Sequence, residues 1–301
     1  MSLIKMFGRN MSSRNLLNLV LVVVVVALVL IVVYEPGKQE EASRLISNVD
    51  KALVTEISIE RIGNSPIILS LVDKQWQMQA PYKMKANKIK AESLLDLLAY
   101  NYHARYDMAE LDAKLYGLDL PRTTITFNKE YKFEFGSTEP LKNNRYIRFQ
   151  NILYLTDDYF YHRILGAATS FLDHELLDAK LNITKIELPG LTLSLNDAKW
   201  EARPKPAKYS NDQANELVDH WKHSHAIEML AYPPAKGTGQ VRIYEDENKE
   251  PIRFDIFTLN DEFYLGRKDL NIAYKLANEK RRDLLQLPPA IETPAADPAV
   301  K

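Results

Sequence analysis

One unit is written twice in this chain, and a duplicated unit restricts the fold to architectures in which two equivalent pieces are built the same way. Residues 55–60 (TEISIE) lead through GNSP at 63–66 into IILSLV at 67–72 and KQWQMQAP at 74–81. Residues 184–190 (TKIELPG) lead directly into LTLSL at 191–195 and DAKWEARP at 197–204. Each copy reads as strand, turn, strand, tryptophan and proline stop. Trp76 and Trp200 hold equivalent places, and a large aromatic repeated in a hairpin reads as a core plug.

A helix signal follows each proline. Asn87 heads KIKAESLLDLLAYNY, whose Ile89, Leu94, Leu97 and Leu98 predict one apolar face. In the second copy Ser210 and Gln213 have capping-box spacing, ahead of an Ala214, Leu217, Val218 and Trp221 stripe. Both copies then return to alternating strands: TTITF at 123–127, YKFEFG at 131–136, RYIRF at 145–149 and ILYLT at 152–156, against QVRIYE at 240–245, IRFDIF at 252–257 and EFYLGR at 262–267. Alternation of apolar and charged side chains predicts antiparallel sheets with one packed and one wet face. Residues 158–165 and 269–287 read as helical or irregular closing segments, and HELLD at 174–178 as a helix between the copies.

Ahead of the repeat, residues 16–34 (LLNLVLVVVVVALVLIVVY) carry no charge. As a helix they reach about 28 Å, the span of a bilayer core. Lys5, Arg9 and Arg14 precede the run and Glu35, Glu40 and Glu41 follow it, which predicts a cytoplasmic N-terminus and a chain that continues outside the cytoplasm. The expected fold class is therefore α+β, an N-terminal transmembrane helix followed by two similar modules of antiparallel sheet with a covering helix. The expected divisions are a cytoplasmic N-terminus at 1–15, an anchor at 16–34, a stalk at 35–54, a first module at 55–172, a second at 173–287 and a disordered tail at 288–301.

Composition removes several functional classes. There is no cysteine, hence no disulfide framework, thiol chemistry or thiolate metal site. A formal net charge of −1 leaves no broad basic surface for nucleic acid. No G-x-S-x-G surrounds a serine, and AKGTGQ at 235–240 lacks the spacing and lysine of a phosphate loop. His220, His223 and His225 in DHWKHSH form the one cluster with metal-ligand residue types, with no HExxH to complete it. Catalytic residues and cofactors are accordingly expected to be none.

The segment YGLDLP carries its own logic. Tyr116 ends a short helical turn, Gly117 takes a left-handed cap, Leu118 closes an apolar contact and Pro121 stops the turn, with Asp119 a further member of the candidate motif. Gly136 reads as a strand-end turn, and Lys142, Arg145 and Arg148 add positive charge around the loop at 137–144, a candidate contact surface. With the Trp strand, the LLDLL helix and FGSTEPLKNNRYIRF at 135–149, this motif resembles a family of uncharacterised single-pass bacterial envelope proteins, known only as a domain of unknown function. That family has repeated modules and is often encoded beside gliding-type ABC transport systems. The resemblance implies a single-pass inner-membrane protein with a periplasmic C-terminal part, whose partners are the lipid bilayer and an integral membrane or periplasmic complex such as an ABC-type transport system. The expected role is a membrane-anchored, non-catalytic auxiliary or scaffold subunit of an envelope transport or assembly complex. Two alternatives stand beside it: binding of an envelope glycan or small ligand between the modules, and a hydrolase or metal-dependent enzyme with an unrecognised site.

Overall fold

The computed structural model describes residues 13–34, 44–246 and 248–289. The chain divides into two compact units, Met1–Leu45 and Ile46–Lys301. In the first, the apolar run forms helix α1, Ser13–Tyr34. Among the described residues no helix is long and apolar enough to cross a membrane. This corrects the transmembrane anchor in the expected fold class. It also removes the readings that rested on the anchor: single-pass inner-membrane placement with a periplasmic C-terminal part, the lipid bilayer and a membrane complex as partners, and the role of anchored auxiliary subunit. Residues 1–12 of the expected N-terminal segment at 1–15, 35–43 of the expected stalk at 35–54 and 290–301 of the expected tail at 288–301 lie outside the described residues.

The second unit contains two antiparallel sheets with flanking helices. The first holds β1 (Glu56–Arg61), β2 (Ile67–Val72), β3 (Gln75–Ala80), β4 (Met84–Lys85), β5 (Ala104–Asp107), β6 (Thr123–Phe127), β7 (Tyr131–Thr138), β8 (Arg145–Phe149) and β9 (Ile152–Thr156), in the order β4-β3-β2-β1-β6-β7-β8-β9-β5. The second holds β10 (Lys185–Leu188), β11 (Leu191–Asn196), β12 (Lys199–Arg203), β13 (Glu228–Ala231), β14 (Gly239–Tyr244), β15 (Ile252–Leu259), β16 (Glu262–Arg267) and β17 (Ile272–Leu276), in the order β12-β11-β10-β14-β15-β16-β17-β13. Apart from the two-residue β4, the two orders are the same when each copy is counted from its own first strand. Both tryptophan strands end at a cis X-Pro bond, Ala80-Pro81 and Arg203-Pro204.

Strand alternation builds the core. Ile57 and Ile59 of β1, Ile67 and Leu69 of β2, and Ile186 and Leu193 of β10 and β11 are fully buried, as period-2 geometry requires of one sheet face. Trp76 and Trp200 are buried beside them. Helix α2 (Lys88–Leu94) starts at Asn87, whose side chain accepts from the Lys90 amide, and tightens into a 3-10 segment at Leu95–Ala99. At about 100° per residue Ile89 lies about 140° around the helix from Leu94 and faces outward, 80% exposed, while Ala91, Leu94, Leu97 and Leu98 stay in the core. Helix α3 (Tyr159–Arg163) closes the first copy. Helix α4 (Asn211–His223) has the reciprocal capping box of Ser210 and Gln213, and α5 (Lys280–Leu285) lies against it through the Trp221 Nε1–H bond to the Leu284 carbonyl at 2.9 Å.

The sheets belong to one body because the connecting segment bonds to both copies. Ala86 bridges Leu172, and the Asp173 amide donates to the Lys85 carbonyl. Glu175 bridges His225, and the Ala226 amide donates to the His174 carbonyl. HELLD is therefore extended rather than helical, since its backbone groups are committed to these non-local partners. Residues 46–54 dock likewise: Ile46 and Val54 are buried and the Ser47 hydroxyl donates to the Leu98 carbonyl at 2.6 Å. One contiguous apolar cluster runs through both copies.

Candidate functional site

One place where the two copies differ is the turn after their first strand. In the second copy β10 and β11 are joined by Pro189 and Gly190 alone, with Gly190 at φ +84°. In the first, β1 runs out at Arg61 and a longer loop, 62–66, returns to β2. Arg61 continues the parity of Ile57 and Ile59, so its side chain starts at the rim of the core. One terminal nitrogen, Nη1, donates to the carbonyls of Ile164, Leu165 and Gly166 at 3.3, 2.9 and 2.7 Å. These bonds satisfy the chain leaving α3, a helix end that would otherwise present bare acceptors. Burial draws the Arg61 pKa below the ordinary arginine value, opposed by the nearby Tyr161. Its Nε is buried without a partner, and its Nη2 has none among the described residues.

The loop is tied down on the other side. The Ile62 amide donates to the Arg122 carbonyl at 3.1 Å, and Arg61 pairs in register with Thr123 of β6. Thr123 Oγ1 lies 3.3 Å from the Tyr161 hydroxyl. The far face of the Tyr161 ring is engaged in turn: the Arg145 guanidinium sits 3.8 Å from its centroid and holds Asp158 with two hydrogen bonds, at 2.6 and 3.0 Å. Between these groups lies a cavity of about 710 Å³, lined by Arg61, Ile62, Arg122, Tyr161, Leu165 and cis-Pro81, with Asn64, Ser65, Thr123, Ala167 and Ala168. The Arg122 side chain is exposed and makes no ion pair or hydrogen bond among the described residues. No carboxylate lines this cavity; Glu60 alternates to the opposite face, opposite Thr124 in register. The arrangement holds two cationic guanidinium groups at the edge of an apolar wall.

The residues singled out from sequence have other employments. In YGLDLP, Tyr116 ends a 3-10 turn (Ala113–Tyr116), Gly117 is left-handed at φ 66°, and the Gly117 and Leu118 amides donate to the Lys114 and Ala113 carbonyls. Leu118 is buried against Gly136, where an added Cβ would lie 2.2 Å from the Tyr116 carbonyl oxygen. Asp119 is exposed and Pro121 half-buried. The motif and Gly136 are thus two sides of one packing contact. Arg145 is spent on Asp158 and the Gly136 carbonyl, and Arg148 on Glu134, so of the three expected loop cations Lys142 alone is exposed with an unpaired ammonium. Cross-strand and helix-end partners thus offset the charge of two of the three cations. Trp76 and Trp200 serve the core.

His220, His223 and His225 do not converge. Their Nδ1 atoms face the carbonyls of Asp283, Asp219 and His223, respectively. Among the described residues no group of three His, Cys, Asp or Glu side chains is placed to hold a metal ion. The cavity between the copies is small, about 250 Å³, and is crossed by Lys85, whose ammonium lies 2.9 Å from both Asp173 and Glu175. Hydrogen bonding to Glu175, against the cost of burial, raises the Lys85 pKa above its ordinary value.

Arg61 and Arg122 were not singled out by sequence reading, because single arginines flanking strands carry no motif. The usable signal was the length difference between the two copies' first turns.

Residues 76–237 match the family described as a domain of unknown function (DUF4340). The chain belongs to this family. The match begins at Trp76 and ends in the AYPPAKG segment, so it takes in the YGLDLP motif, the linker and the first half of the second copy. DUF4340 membership brings no activity with it, and the single-pass envelope description attached to the resemblance falls with the spanning helix. No curated protein and no solved structure matches the chain.

Proposed function

We propose that this DUF4340 chain works by binding rather than by catalysis, and that its recognition site is the cavity under the 62–66 loop of the first copy. The observation that carries the proposal is the pairing of Arg61 and Arg122 around that cavity with no lining carboxylate, at the corner where the copies diverge. Guanidinium groups recognise oxyanions through paired N–H donors, so the ligand class is anionic. Other strongly held charges support the same reading, because Arg145–Asp158 and Arg148–Glu134 are consumed within the fold rather than aimed at a common point.

The test is thermal stabilisation of the full chain by simple anions. Saturable stabilisation is expected, reaching about 2.7 kcal/mol at a hundredfold excess over Kd, and is expected to vanish in Arg122→Glu. Stabilisation of that variant equal to that of the parent would refute the site.

A further inference from the structure

Resting on that anion-binding reading, we infer that the ligand joins its anionic head to an apolar chain, as a carboxylate or phosphate monoester of an alkyl group does. Two large apolar side chains flank the guanidinium groups and are turned to solvent: Ile62 is 58% and Leu165 46% exposed. Neither is loose. The Ile62 amide donates to the Arg122 carbonyl and the Leu165 carbonyl accepts from Arg61, so the backbone behind each apolar side chain is anchored by the same two residues that supply the charge. Pro81, Ala167 and Ala168 extend the apolar wall without adding a polar group beyond their backbone. A free phosphate would leave that wall wet, and a neutral alkyl chain would leave the Arg122 fork unmatched. An amphiphilic anion covers both at once, its head on Arg122 and the open Nη2 of Arg61, its chain along Ile62 and Leu165.

The second copy has neither half of this arrangement. Gly190 stands at the end of its first turn and nothing replaces the loop. An open cavity of the second copy, about 870 Å³ beside Tyr232, Lys236 and Lys268, contains the Asp255 carboxylate and so lacks the carboxylate-free lining.

Calorimetric titration of the full chain with hexanoate, octanoate and octyl phosphate below their aggregation limits separates head from chain, with inorganic phosphate and octanol as the partial ligands. One saturable site is expected. Affinity should rise about fourfold per added methylene, Arg122→Gln should weaken every anion about tenfold, and Ile62→Ser should flatten the dependence on chain length. Lys236→Gln should change nothing. The two octyl probes distinguish a carboxylate from a phosphate head. Phosphate binding as tightly as octyl phosphate, with Arg122 still required, would overturn the apolar chain while leaving the anion site standing. Octanol binding as tightly as octanoate, or octanoate binding that ignores Arg122→Gln, would overturn both. Both substituted side chains are exposed, so circular dichroism and an unchanged unfolding midpoint confirm that lost binding is not lost folding.

Discussion

The first and second copies share a strand order and differ in how they spend their loops. Where the first copy has the 62–66 loop, the second has a Pro-Gly turn. Where the second copy has the Tyr232–Pro–Pro segment between β13 and β14, the first has the YGLDLP cap packed on Gly136. Even the tight hairpins are exchanged: two consecutive left-handed residues, Asn128 and Lys129, close β6 to β7 in the first copy, whereas Asn260 and Asp261 close β15 to β16 in the second. The lesson is a division of labour. Sheets and tryptophans are held in common, because one core spans both copies, while the loops are free to differ and carry the proposed binding site of one of them.

The largest effect tests the shared core. Trp76→Ala and Trp200→Ala should each cost about 3–5 kcal/mol, since both side chains are buried in the same cluster. Urea unfolding followed by fluorescence and by circular dichroism should give one transition in parent and variants. Two separated transitions, or a loss below about 1 kcal/mol at one tryptophan, would mean that the copies are independent.

Much of this common frame was legible beforehand. Alternation located the first three strands of each copy, and the Ser210 capping box located α4, because these signals are local. The short edge strands β5 and β13 were missed, being four residues each and mostly exposed, with nothing to distinguish them from loop. Strand β17 was read as helical or irregular, yet Ile272, Tyr274 and Leu276 are buried against β16. The site was less legible still. Arg61 and Arg122 are brought together by the pairing of β1 with β6, a contact between residues distant in sequence.

Glycine positions sharpen the comparison at the next level. Gly136→Ala should cost about 2–3 kcal/mol, because the new methyl meets a backbone oxygen that cannot rotate away. Gly190→Ala should cost nearer 1 kcal/mol, since its Cβ would stand in open space and the left-handed backbone alone opposes it. Equal losses in thermal unfolding would remove the claim that YGLDLP is a packed cap.

Each sheet also has one carboxylate set between a lysine two residues earlier and an arginine across the strand. In the first, Glu134 meets Arg148 and Lys132; in the second, Glu187 meets Lys185 and Arg242. Burial raises the Glu134 pKa, but hydrogen bonds from Arg148 and Lys132 outweigh it and hold the group below the usual carboxylate range. Glu187 is lowered chiefly by Lys185, against burial, with help from Arg242 and Tyr244. A depressed folded pKa stabilises the native state above the unfolded value of about 4.3, and that contribution drains as the pH falls through the folded value. Glu134→Gln should therefore cost about 1 kcal/mol at neutral pH, flatten the acid limb of stability against pH, and do so more than Glu187→Gln, whose cluster is wetter. A larger flattening at Glu187 would reverse this ranking.

The smallest stability effect belongs to the most informative variant. Replacing residues 62–66 of the first copy with the Pro-Gly turn of the second removes Ile62 and the loop over the cavity, leaves Arg61 on its three carbonyls, and keeps a hairpin that the same strand order already tolerates. Unfolding should change by less than about 1 kcal/mol. Titration of this loop-shortened chain with octyl phosphate is the direct test of the division of labour: the account requires that binding disappear from a chain that still unfolds in one transition, and retention of the parent's affinity would contradict it.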